Sequence, residues 1–265
     1  FDSSNPPDNL TLDINSTVNL EMIWVNPGTF NMGSPEDENQ RQTDETQKQV
    51  TITNGFYLGK FEITGAQYEA VMDGNSFDIP TKPSTSHFDY LDRSAYPVET
   101  VPRIYVEKFI TTLNDLLSSD IPLGWTFKLP TEAEWEYSCR AGSTTAFSWG
   151  NTISLEDANW YDPNNVVNRT KEPGQYSPNL WGFYDMHGNV MELCEDMYSP
   201  EYNNDQSDPV NLTGSLGVVR GGGFWTYSAF GGYPGTLVRS AARWSQDPAS
   251  GASHIGFRIA LKKTN

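Results

Sequence analysis

The sequence predicts an α+β fold with few regular elements and much ordered irregular chain. Three observations carry that expectation. Helical periodicity is confined to three short stretches, and strand-like runs are brief and scattered. Between them lie long stretches rich in Asn, Asp, Gly, Pro and Ser, notably 73–97 and 143–180. Loops of that length in a compact domain are uncommon and usually functional. With 265 residues, one elaborated domain is expected, and 13% aromatic content with eight tryptophans opposes disorder.

Taken in order, the first twenty residues, "FDSSNPPDNLTLDINSTVNL", are polar and contain Pro6-Pro7, so 1–20 reads as a loose arm before a single domain over 21–265. The chain starts at Phe1, and the arm suits a tether behind a removed signal segment or an upstream lipid anchor. "EMIWV" and "VTITNGFYLGKFEI" read as strands. "TGAQYEAVM" follows as a helix with Thr64 as N-cap and Tyr68, Val71 and Met72 on one face. A second helix begins after Pro102, where Tyr105, Phe109, Leu113 and Leu116 recur at three to four residues. The third is "LPTEAEWEYSCRAG", with Thr131 and Glu134 as a capping box and Gly142 at its end. "GVVRGG" and "GFRIALK" complete the strands. Asn15-Ser-Thr and Asn211-Leu-Thr match the glycosylation pattern, which also recurs by chance.

Composition excludes some functions. Acidic residues outnumber basic ones 34 to 17, which disfavours nucleic acid and anionic lipid as partners. No run of 18 apolar residues occurs, so no helical membrane span is expected. Two cysteines, Cys139 and Cys194, cannot build a disulfide framework; they form one bridge or stay as thiols, and the thiol reading is preferred. The segment 220–254 stands apart. Of its 35 residues, 17 are Gly, Ser or Ala and six are aromatic, with no Lys, no Glu and one acid, Asp247. That mixture buries little aliphatic area and matches a contact surface, where Tyr and Trp supply rigid area and Ser and Gly supply adaptability. Phe224 and Phe257 read as core.

"MIWVNPGTFNMGS", "FYLGKFEITGAQYEAVM", "YPVETVP", "FKLPTEAEWEYSCRAG", "NLWGFYDMHGNVMELCEDMY", "VVRGGGF" and "HIGFRIA" occur in that order. Together they resemble the formylglycine-generating-enzyme-type sulfatase-modifying domain, from Met22 to Ala260. The resemblance implies a variant of the C-type lectin fold, with a small twisted antiparallel sheet, two or three helices and long loops. It also implies what is missing. Catalytic members bind copper through a cysteine pair shortly after the Gly-Gly-Ser-aromatic motif, because a soft metal needs thiolates. Here Gly221-Gly222-Gly223-Phe224 stands at that place and no cysteine follows Cys194. An iron-dependent branch needs a histidine cluster, whereas His87, His187 and His254 lack metal-like spacing, and His187 reads as structural. No enzyme is therefore expected, and no cofactor is required. The nearby acids Asp185, Glu192, Glu195 and Asp196 leave two readings, acid–base work or a hard-cation site. The resemblance favours a structural calcium held by Gly188, Asn189, Val190 and Glu192, with a second position at Asn159 and the backbone of Trp160.

One branch fits the C-terminal segment in particular. The variable proteins of diversity-generating retroelements, of the Treponema kind, keep fixed points matched here by Arg220-Gly221-Gly222, Arg239-Ser240-Ala241, Arg243, Pro248 and Gly256-Phe257-Arg258. The implied variable segment is about 220–258. Adenine-directed diversification leaves Trp225, Trp244 and Gln246 fixed and can reach Thr226, Tyr227, Ser228, Phe230, Tyr233, Ser245, Ser250, Ser253 and His254. The expected contacts are those nine reachable residues with Trp225 and Trp244. The expectation is a binding protein on a bacterial surface with a protein partner rather than a carbohydrate, its loops held by Arg239, Arg243 and Arg258. The rival is an oxidoreductase or accessory enzyme of the sulfatase-modifying type with a non-standard site.

Overall fold

The computed structural model describes residues 7, 9–74, 80, 82–84, 93–161, 169–202, 205–225 and 235–264. Its main sheet has five strands: β1 (Asn9–Asp13), β2 (Asn19–Val25), β5 (Phe56–Gly59), β6 (Trp125–Lys128) and β11 (Ala260–Lys263), in the order β1-β2-β5-β11-β6 and antiparallel throughout. A second sheet orders β10 (Ile255–Gly256), β7 (Met191–Met197), β8 (Gly217–Arg220) and β9 (Arg243–Gln246), with β10 parallel to β7. β3 (Gly28–Met32) and β4 (Lys48–Ile52) form a separate ribbon.

The reading of 1–20 as a loose arm is corrected from residue 9 onward. β1 pairs with β2 from Asn9↔Ile23 to Asp13↔Asn19, and Leu12, Ile14 and Leu20 are buried. The alternation Leu10, Leu12, Ile14 supplies one apolar face, a period-two signal diluted by polar neighbours.

Three helices form where periodicity and caps place them. α1 (Gly65–Met72) and α3 (Glu132–Arg140) each start with a complete capping box, Thr64 with Gln67 and Thr131 with Glu134. α2 (Arg103–Leu116) begins after Pro102 and buries Val106, Phe109 and Leu113. Its expected stripe included Leu116, which is instead 45% exposed, while Leu117 is buried. α3 ends on Ala141 in the left-handed region, one residue before the expected Gly142.

Strand alternation separates two cores. Met22, Tyr57, Phe127 and Leu261 face α1 and α2, where Tyr68 stacks on Phe109 at 5.3 Å. Ile23, Val25, Leu58 and Ala260 face the other way, toward Trp135, Ala133 and Cys139 of α3. Both sides of the sheet are covered, which is why all of β5 is buried. The second sheet splits similarly: Met191, Leu193 and Val219 join the first core, Cys194 and Val218 the second. No described helix is long and apolar enough to cross a membrane.

Candidate functional site

The described residues of the C-terminal segment are mostly irregular, so their backbone polar groups need partners other than a ladder. Arg220 supplies several, and three further arginines tie the segment to the surrounding loops. Arg220, at the end of β8, is fully buried and donates to the carbonyls of Ser240, Ala241 and Ala242 at 2.8–2.9 Å, and to Glu136. Arg239 forks onto Glu45 at 2.6 and 2.8 Å and also reaches Glu38 and the Gln40 carbonyl. Arg243 forks onto Glu132 at 2.7 and 2.8 Å and reaches the carbonyls of Asp44 and Ser199. Arg258 takes both oxygens of Glu192 at 2.6 Å and the carbonyls of Gly59 and Tyr184. The planar guanidinium suits this bidentate work, which an ammonium cannot do. The expected use of Arg239, Arg243 and Arg258 is what the structure shows.

The glycines after Arg220 have a specific cause. Gly221 and Gly222 lie at φ +87° and +65°, and a side chain on Gly222 would strike Val238 and the Leu237 carbonyl. The chain then turns so that the Phe224 N–H donates to the Asn189 carbonyl at 2.9 Å, burying Phe224.

The next residue, Trp225, is 46% exposed and meets Tyr161 edge-on at 6.4 Å between centroids. Thr226, Tyr227, Ser228, Phe230 and Tyr233 lie outside the described residues. His254 sits immediately before β10, half-buried, with its carbonyl accepting from the Met191 N–H at 2.8 Å, and burial lowers its imidazole pKa. Ser250 is exposed and Ser253 half-buried. Trp244 and Ser245 belong to β9, at the opposite edge of the four-stranded sheet from His254. Trp244 packs against the first core. Trp244 is half-buried, whereas its neighbour Arg243 is buried.

The expected calcium ligands do not fit a cation. Both carboxylate oxygens of Glu192 are held by Arg258, and one also accepts from the Trp135 indole N–H at 2.7 Å. A cation there would face a fully buried guanidinium. The Asn189 amide oxygen accepts from the Lys171 N–H and the Asn159 amide, while its NH₂ donates to Glu62. Gly188, Asn189, Val190 and Glu192 thus serve a hydrogen-bonded corner, in which Glu62 also accepts from the Val190 N–H. Burial, with Asp185 and Glu192 nearby, pushes the Glu62 carboxyl well above the usual range. At the second position, Asn159 donates to the Arg169 carbonyl, and its amide nitrogen is committed to Asn189 as well. Among the described residues no cluster of three His, Cys, Asp or Glu side chains is arranged to hold a metal.

The acids of 185–196 are not one patch. Glu195 pairs with Lys128 and Lys262, whereas Asp196 is buried and accepts from the backbone N–H groups of Glu132 and Asn211. Burial, then the neighbouring Glu132, raises the Asp196 carboxyl to about 7.

Both cysteines are buried free thiols. Burial pushes Cys139 up to about 12 and Cys194 well above its ordinary value. Such thiols are neither nucleophiles nor ready metal ligands at neutral pH. Cys139 lies 3.5 Å from His187, whose Nε2 also accepts from the Ser148 N–H at 3.1 Å. That fixes Nδ1 as the protonated nitrogen, donating to the Val238 carbonyl at 2.7 Å. Burial holds the His187 pKa down at about 4, so it is a neutral crosslink between α3, the 147–149 turn and the C-terminal segment. Its structural reading stands.

Sequence reasoning missed the acids that receive the arginines: Glu38, Glu45, Glu132 and Glu136. Glu132 and Glu136 carried a signal, being i, i+4 acids on a helix whose apolar residues alone leave its inner face incomplete.

A model of the sulfatase-modifying factor enzyme 1-like domain matches residues 12–263. The chain belongs to that family. It is 27% identical to the mouse formylglycine-generating enzyme over 91% of this chain and 74% of that protein. It is 32% identical to the Thermomonospora curvata enzyme, covering half of this chain and 48% of that one. Among solved structures, Treponema denticola variable protein 1 superposes with a TM-score of 0.76 at 26% identity, covering 96% of this chain and 99% of that chain. PvdO from Pseudomonas aeruginosa superposes at 0.79 and 27% identity, covering 97% and 100%. The fold expected from the sequence motifs is the fold observed, and the likeness to a variable protein is found alongside the likeness to enzymes.

Proposed function

We propose that this chain is a non-catalytic binding protein whose ligand face is the C-terminal segment, centred on the stretch that starts at Trp225. The observation that carries the reading is a scaffold kept without its chemistry. Arg220, Arg239, Arg243 and Arg258 hold the segment in place, yet no cysteine follows Cys194, and the two cysteines present are buried and protonated at neutral pH. A segment stapled from beneath tolerates exchange of the side chains above it, because substitutions at exposed sites usually cost within about 0.5 kcal/mol. The partner is a protein, since rigid aromatics among small residues suit an extended contact better than a sugar cleft. Display on a bacterial surface follows from the same role.

The test is to sequence the coding region from several isolates of the source strain. Variation concentrated between Trp225 and His254 over constant flanks supports the reading, and variation scattered evenly along the chain defeats it. A second reading is favoured by the relatives that are formylglycine-generating enzymes: a catalytic or accessory role using ligands other than a cysteine pair. A copper titration ending at one clear equivalent would support that second reading.

A further inference from the structure

Of the chain's four Asn-x-Ser/Thr triplets, Asn9 begins β1, Asn168 lies outside the described residues, and Asn15 and Asn211 occupy contrasting environments. Asn15 and Thr17 sit in the tight turn between β1 and β2, where Asn15, Ser16 and Thr17 are all exposed. The turn is closed by the N–H groups of Ile14 and Asn15 donating to the Val18 carbonyl. The Asn15 amide oxygen accepts from the N–H groups of Thr17 and Val18, both at 2.9 Å, and from the Thr17 hydroxyl at 3.1 Å. Every one of these bonds uses the oxygen. The amide nitrogen, the atom that a glycan would join, has no protein partner among the described residues and points from a hairpin tip. At Asn211 the amide oxygen likewise accepts from the Thr213 N–H and hydroxyl, but the nitrogen is engaged. Its amide nitrogen donates to the Met197 carbonyl at 2.8 Å, its N–H donates to buried Asp196, and its residue is half-buried. Freeing that nitrogen would break the neck of the loop that follows β7.

We propose that Asn15 is an N-glycan acceptor in the folded protein and that Asn211 is not. The donor is a lipid-pyrophosphate-linked oligosaccharide presented by an oligosaccharyltransferase. The Asn15 Nδ2–sugar C1 bond forms as the C1–oxygen bond to pyrophosphate breaks. Lipid pyrophosphate leaves, and the amide proton passes to a base on the transferase. The Thr17 hydroxyl, already against the Asn15 amide, supplies the group at the second following position that such enzymes require. The site has a structural use as well. β1 is an outer strand of the five-stranded sheet, and an open edge invites pairing with other chains. A hydrated glycan at the tip of its hairpin would shield that edge. Nothing in this assignment depends on the binding role of the C-terminal segment.

The experiment incubates the full folded chain with a purified oligosaccharyltransferase and its lipid-pyrophosphate donor, followed by intact-mass measurement and site mapping. The expected result is a glycan mapped to Asn15 that is lost in N15Q and in T17A, retained in T17S, and unaffected in N211Q. T17A leaves both backbone N–H bonds to Asn15 in place, so its loss of glycan is not a loss of the turn. A wild-type chain with no glycan at Asn15, or a glycan mapped to Asn211, overturns the proposal.

Discussion

Arg258 and Glu192 show what a buried charge requires. Each is fully buried, and each spends nearly all its hydrogen-bonding capacity on the other or on fixed partners. Removing one partner strands the other in a medium that cannot solvate it, at a cost of about 3–5 kcal/mol. E192Q is therefore expected to lower unfolding free energy by that amount in urea titrations, and to do so equally with or without added calcium. A calcium-dependent stability would reinstate Glu192 as a ligand. The two exposed-segment tryptophans separate in the same way. W225A is expected to change stability by no more than about 0.5 kcal/mol, while W244A costs about 1–2 kcal/mol, because Trp244 is half-buried and packs against the core. Equal effects would mean that Trp225 is scaffold and not contact surface.

At the scale of elements, the caps are the most legible feature and also the easiest to test. T131A removes the acceptor for the Glu134 N–H and half of a capping box, and is expected to cost about 1 kcal/mol in thermal or chemical unfolding. The helices were readable because a cap and a 3.6-residue period are local. Strands were less so. β2, β5 and β8 carry continuous apolar runs and β4 a Val-Thr-Ile alternation, whereas β1, β6 and β7 carry no continuous run. β7 is "MELCEDM", and its acids look like surface until Arg258 and two backbone N–H groups are seen waiting for Glu192 and Asp196. Arg258 and Glu132 lie some sixty residues away in sequence and Asn211 fifteen, so no local pattern announces them. The same holds for the calcium reading, where Gly188-Asn189-Val190 and Glu192 offered oxygen ligands in one dimension and a closed corner in three.

For the whole molecule, two buried titrations oppose one another. His187 has a folded pKa near 4, below its ordinary 6.5, so its contribution to stability is present above pH 6.5 and lost as pH falls toward 4. Asp196 has a folded pKa near 7, above its ordinary 3.8, so its contribution is present below about pH 4 and lost as pH rises through 7. Across pH 4–7 the two slopes partly cancel. H187Q is expected to remove the first and leave stability falling more steeply as pH rises across that range, which unfolding curves at half-unit pH steps would detect. Gln can donate to the Val238 carbonyl and accept from Ser148, so the crosslink need not be lost with the charge. An unchanged pH profile would mean that His187 is not held neutral.

The order of strands in the main sheet has a consequence for biogenesis. β11, the last strand in the chain, lies between β5 and β6, and its neighbour Arg258 caps Glu192. The strand that joins β5 to β6 is therefore the last of the five to be synthesised. Until then β5 and β6 have no bond to each other, and their apolar sides stand uncovered beside a finished α1 and α2. Such a nascent chain cannot consolidate strand by strand from β1, and it would depend on holding factors until β11 is made.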